Sequence, residues 1–138
     1  LPGLVMSYVE VQCGSRMLFD HIERQVSEAT GQLDDGALVD LVDGFSRGPH
    51  RPRAFLLSAG PVVVERLRAL EPGHLTRVVE AYARWPRDVP PELVRGLVRR
   101  LRDADGALLA HELEPPQVVS VLRALALWRG RARFARGR

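Results

Sequence analysis

Three stretches of this sequence copy one another, and the distance between them limits the fold more than any other feature. Leu33–Arg47 reads LDDGALVDLVDGFSR, Leu70–Arg84 reads LEPGHLTRVVEAYAR, and Leu113–Leu127 reads LEPPQVVSVLRALAL. Aligned, they set a large residue at Phe45, Tyr82 and Leu125, giving steps of 37 and 43 residues. One 37-residue step back from Phe45 lies Tyr8, so an incomplete copy is expected to open the chain. A step of this size holds two helices of about 12–16 residues and two short turns. A single helical hairpin cannot cover both of its apolar faces, so neighbouring hairpins must stack. The expected fold is all-α, a short α-solenoid of about three and a half two-helix repeats. It should occupy residues 1–128, with an arginine-rich C-terminal tail over 129–138.

The local pattern agrees. Leu75, Val78, Val79, Tyr82 and Trp85 fall on one face of a helix. Pro72 suits the first turn of that helix, and Pro86 stops it by disfavouring the α conformation at the preceding residue. Most of the 10 prolines likewise fall between helical segments. Alternation with period two does not persist anywhere. The first helix of each hairpin is expected at Met17–Ala29, Ala54–Ala69 and Pro91–Ala104. Gly60-Pro61 should break or kink the middle one. The extra residues of the second step fall around Asp103–Glu112, where they either lengthen a helix or loop out.

Composition bounds the function. At 138 residues, 46% apolar and 27% charged, the chain is the size of one globular domain and can bury a core unaided. Its one cysteine, Cys13, has no internal disulfide partner and rules out a cysteine-based zinc cluster within the chain. No apolar run approaches the roughly 20 residues of a membrane span. The chain starts at Leu1, which predicts a processed form or a piece of a longer protein, and nothing at its start resembles a signal peptide.

All 20 basic residues are arginine, and lysine and asparagine are absent. A GC-rich coding sequence explains that bias, as does selection for the guanidinium fork. Either way every cation is suited to bidentate contact with phosphate or carboxylate. The net charge of +3 is unevenly spread. Residues 1–50 carry three arginines and eight acids, 51–102 carry 11 arginines and five acids, and 103–138 carry six arginines and four acids. A basic C-terminal two-thirds fits a polyanion, and it also fits an acidic protein surface.

The pattern Leu-(Glu/Asp)-x-x-x-(Leu/Val)-x-x-(Val/Leu)-(Val/Leu)-x-(Ala/Gly)-(Tyr/Phe/Leu)-(Ala/Ser), at Leu33–Ser46, Leu70–Ala83 and Leu113–Ala126, resembles organellar helical-hairpin repeats. It is most similar to the heptatricopeptide and octotricopeptide repeats and to the helical region that precedes RAP domains, and no RAP-type module is visible. The resemblance implies an organellar protein, mitochondrial or plastid, that handles RNA or sits in a ribosome. Tetratricopeptide-like scaffolding is the competing implication. A tetratricopeptide step is nearer 34 residues, and its Trp and Pro signature is absent here.

The candidate contacts follow the arginines. Arg95, Arg99 and Arg102 share a helical face opposite Val94, Leu97 and Leu101, with Arg100 alongside. In related solenoids the first helix of each hairpin lines the concave surface, where these side chains would reach a phosphate backbone. Arg66 and Arg68 are the matching contributors one repeat earlier. The same stripe also reads as a solvated face paired with Glu92 and Asp103. In the tail, Arg129, Arg131, Arg133, Arg136 and Arg138 flank Phe134, a combination suited to phosphate contact and base stacking. It reads equally as an ordinary basic terminus. Arg77, Glu80 and Arg84 are expected to pair along their own helix, and Trp85 and Trp128 to pack.

Nothing points to catalysis, a metal or a cofactor. His21, His50, His74 and His111 are far apart, and neither a glycine-rich phosphate loop nor a Walker motif is present. The reading is a non-catalytic organellar RNA-binding repeat protein, a structural component of the mitochondrial ribosome contacting rRNA and neighbouring proteins. The alternative is a protein scaffold, or an accessory subunit of a respiratory or photosynthetic complex.

Overall fold

A computed structural model describes residues 16–136, with side-chain environments through residue 130. Six α-helices follow one another: α1 (Arg16–Ser27), α2 (Asp35–Ser46), α3 (Arg53–Arg66), α4 (Pro72–Arg84), α5 (Pro91–Arg102) and α6 (Pro115–Arg136). The described residues include no strand. Each helix packs chiefly on the next but one: α1 on α3, α3 on α5, α2 on α4 and α4 on α6. The odd helices therefore form one layer and the even helices the other, which is the arrangement of an α-solenoid. The partial copy around Tyr8 lies outside the described residues.

The 37-residue step is visible in the core. Phe19 meets Phe45 edge-on, with ring centroids 5.6 Å apart. One step on, the Tyr82 hydroxyl donates to the Leu56 carbonyl at 2.8 Å. Phe19 is thus to Phe45 as Leu56 is to Tyr82. Phe45 also stacks on Phe55 at 4.7 Å, joining the first hairpin to the second. Phe19, Phe45, Phe55, Leu56 and Tyr82 are all at most 2% exposed.

The acid of the Leu-acid start caps its helix through the side chain at α2 and not at α4, where Glu71 makes no such bond. The Asp34 carboxylate accepts the Ala37 N–H at 2.7 Å, satisfying one of the four free donors of a helix N-terminus. Before α6 the Gln117 side chain accepts the Glu114 N–H at 2.9 Å, half of a capping box. Helix α3 starts after Pro52, which has no capping side chain. The acceptor comes instead from α1, where Glu23 takes the Phe55 N–H at 3.1 Å. Burial pushes the Glu23 carboxyl above its usual range, and the Phe55 bond only partly offsets this.

Gly60-Pro61 does not break its helix: α3 runs unbroken from Arg53 to Arg66. Pro61 lies on the exposed side, and Leu57, whose carbonyl loses its helical donor, is 54% exposed, so water can serve that carbonyl. Gly60 faces inward, where a Cβ would sit 3.1 Å from Pro90 Cγ.

The extra residues of the second step loop out. A 3₁₀ turn at Asp103–Gly106 leads to a π-helical turn at Leu108–Glu112. Ala104 (φ 52), Asp105 (φ 57) and Gly106 (φ 79) are all left-handed. Ala104 and Asp105 carry the steric cost that glycine avoids. Ala104→Gly is therefore expected to stabilise the protein by about 0.5–1 kcal/mol, read as a higher urea midpoint at unchanged slope.

Helix α6 continues to Arg136, across residue 129 where the sequence suggested a separate tail. The end of the 1–128 region and the start of the 129–138 tract therefore share one helix.

Candidate nucleic-acid interface

Part of the uneven charge along the chain is paired between layers. Asp43 on α2 is 7% exposed and receives three arginines. Arg47 Nε donates at 2.9 Å, Arg77 Nη2 at 3.1 Å and Arg84 Nη1 at 3.0 Å. Arg77 also pairs with Asp40 at 2.9 Å, and Arg84 donates to Ser46 Oγ at 2.7 Å. The Trp85 indole N–H donates to the Ser46 carbonyl at 2.8 Å. Burial by itself would raise the Asp43 pKa; the bonds from Arg47, Arg77 and Arg84 reverse this and hold it below the usual 3.8.

A second seam joins Arg51 to Asp88 through two bonds, Nε–Oδ2 at 3.0 Å and Nη2–Oδ1 at 2.7 Å. Asp88 keeps 2% of its side-chain surface. These pairings correct the expectation that Arg77, Glu80 and Arg84 pair along α4. Helix α4 stacks over the acidic face of α2, so its arginines turn to that layer. Arg51 with Asp88, and Asp40 with Arg77, are each 37 residues apart. Equivalent positions in adjacent layers lie side by side, and here they carry opposite charges. That was the signal in the sequence that could have located the seams.

The candidate arginines divide into two groups. Arg66 is engaged, pairing with Asp35 at 3.3 Å and donating to the Gly31 carbonyl at 3.3 Å. Arg100 is engaged too, donating to the Leu67 carbonyl at 2.6 Å. Arg68, Arg95, Arg99, Arg102 and Arg129 are exposed. Arg95 has a loose contact with Glu92 at 3.4 Å, both side chains more than half exposed, and such a pair contributes little. Arg68, Arg99, Arg102 and Arg129 have no acid partner among the described residues. The side chains of Arg131, Arg133, Phe134 and Arg136, and all of Arg138, lie outside the described residues.

The Arg100–Leu67 bond shapes this edge. It ties the end of α5 to the turn that bears Arg68. Gly96 helps by letting α5 come close, since a Cβ there would fall 2.8 Å from Leu67 Cδ2. Arg95, Arg99 and Arg102 share one face of α5 by helical geometry. Arg68, Arg99 and Arg102 therefore form a basic edge where the odd helices end. Helix C-termini also favour cations, which gives these arginines a structural use beside any ligand.

No group of three or more His, Cys, Asp or Glu side chains gathers as metal ligands would among the described residues. No helix among them is long and apolar enough to cross a membrane. Trp128 is buried at 5% exposure, as a packing residue would be. Compared with protein-family models, curated proteins and solved structures, the chain matches none.

Proposed function

We propose that the chain is a non-catalytic RNA-binding helical-repeat protein, whose basic edge holds a sugar-phosphate backbone by electrostatic contact. The observation that carries this reading is the free state of Arg68, Arg99 and Arg102. The arginines of the α2–α4 seam are consumed by acids, and these three are exposed without a counter-ion among the described residues. Arg66 and Arg100 leave the contact set and act as braces that position it. Helix α6 adds Arg129, which is exposed, and runs on to Arg136. The resemblance to organellar repeats supports a mitochondrial setting, with the ribosome and its rRNA as the partner and the plastid as the other compartment. The second reading, a protein scaffold, is favoured by one observation: Val119 and Leu122 are 52% and 48% exposed.

Anisotropy titration of a fluorescent single-stranded RNA tests the proposal. The Arg68→Ala/Arg99→Ala/Arg102→Ala variant should bind more weakly and show a shallower salt dependence. Each lost phosphate contact removes about 0.7 from the slope of log affinity against log salt, so three remove about 2. Unchanged affinity and slope would reject the basic edge. Ribonuclease treatment of the native assembly separates the readings: release of the protein favours RNA, and retention favours the scaffold.

A further inference from the structure

The repeat allows each position of the last layer to be compared with its equivalents in the layers before it. On α2, Val39 and Val42 are 0% exposed; on α4, Thr76 and Val79 are 4% and 0% exposed. Their equivalents on α6, Val119 and Leu122, are 52% and 48% exposed. These positions are built for cover, and none of the described residues covers them. Beside them an open groove of about 520 Å³ runs between α5, the π-helical turn and α6. Its floor includes Val98, Leu101, Leu109 and Leu122, and Arg102 and Arg129 stand at its rim.

We propose that this outer face of α6 docks an acidic amphipathic helix of a partner protein, laid where the next even-numbered helix of the solenoid would stack. Charge selects the occupant. At the α2–α4 seam, Asp40 and Asp43 are met by arginines of the incoming helix. The α6 equivalents of those two acids are Ser120 and Arg123. Arg123 is exposed, and like Arg102 and Arg129 it has no acid partner among the described residues. Ser120 and Arg123 lie on the flank of α6 beside Glu80, Ala83 and Arg84 of α4, while Arg102 and Arg129 line the Leu122 groove itself and make it a basic groove that fits carboxylates. A second copy docking through the same face would bring the same arginines against these, and like charges oppose that pairing. A helix seated in an apolar groove with charged flanks is an established way for one chain to hold another. This inference shares Arg102 and Arg129 with the RNA reading and adds Leu122, which the RNA reading does not use.

The test uses two fluorescein-labelled synthetic peptides of about five helical turns. Both carry the same leucine stripe, and one is flanked by Glu, the other by Lys. The Glu peptide is expected to bind saturably, at least about tenfold more tightly than the Lys peptide. Leu122→Gln and Arg129→Glu should each weaken it at least about tenfold. Leu122 is an exposed side chain, so the Leu122→Gln variant should keep its melting temperature. Arg68→Ala/Arg99→Ala should leave peptide binding unchanged, and Leu122→Gln should leave RNA binding unchanged, so the two readings fail separately. Equal affinity for both peptides, binding of neither, an unaffected Leu122→Gln variant, or Leu122-dependent self-association in sedimentation would overturn the proposal.

Discussion

Asp43→Ala is expected to destabilise the protein by about 3 kcal/mol, lowering the melting temperature by about 10 °C. The carboxylate is the shared acceptor of Arg47, Arg77 and Arg84, and it joins the first two even helices. Breaking a buried ion pair typically costs about 3–5 kcal/mol, because the remaining charge is left without compensation. Here the remaining guanidiniums keep 56%, 39% and 31% of their side-chain surface and can be re-solvated, which places the effect at the lower end. Calorimetry of the variant measures it, and a change within about 0.5 kcal/mol would show that the seam is only surface pairing.

The acid side of the stability profile gives an independent check. The folded protein holds the Asp43 pKa below 3.8, so the unfolded state takes up its proton first. Its contribution is fully present above that unfolded value and is lost as pH falls through the lower folded value. Glu23 acts in the opposite sense. Its pKa is raised above 4.5 in the folded state, so protonation there favours folding as pH falls through the raised value toward 4.5. An Asp43→Asn variant should therefore lose the acid-destabilised limb assigned to Asp43 and retain the opposing contribution of Glu23. A variant profile parallel to the parent's between about pH 5 and 3 would contradict this assignment.

Phe45→Ala should cost more, about 3–5 kcal/mol. The ring is 1% exposed and touches two other helices, stacking on Phe55 at 4.7 Å and meeting Phe19 edge-on at 5.6 Å. Truncation leaves a cavity between the first and second hairpins, and the aromatic contacts are lost with the buried area. Leu127→Ala is the matched control. At 43% exposure that side chain has less surface to lose, and its loss should stay within about 0.5 kcal/mol. Comparable denaturant shifts for the two variants would mean that the core is not where the repeat puts it.

The layered architecture was legible because it depends on periodicity and punctuation. Phe45 and Tyr82 sit at equivalent points, each meeting the residue that one 37-residue step makes equivalent on the preceding helix. Pro72 and Pro91 start helices where proline is tolerated. The sequence pattern suggests a break or a kink at Gly60-Pro61; that the helix is not broken there depends on which side faces water, and that is a property of the packed molecule. The arginines were legible as a set but not individually. Arg66 and Arg100 fall on the same helix ends as Arg68, Arg99 and Arg102. Only the approach of Asp35, Gly31 and Leu67 from neighbouring segments separates the engaged from the free. Glu23 could not be found from local pattern, since the helix it caps starts 30 residues later, at Arg53.

The seams also give the molecule a direction. At the α2–α4 seam the earlier helix carries the acids and the later one the arginines, and at Arg51–Asp88 the order of the signs is reversed. Two hairpins exchanged in order would separate Asp40 and Asp43 from Arg77 and Arg84, and Arg51 from Asp88. Greasy residues alone would allow that shuffled stack, since leucines and valines are interchangeable from tier to tier. The ion pairs oppose it, and so the order of the first layers is written into the ionic contacts while the adhesion comes from the core.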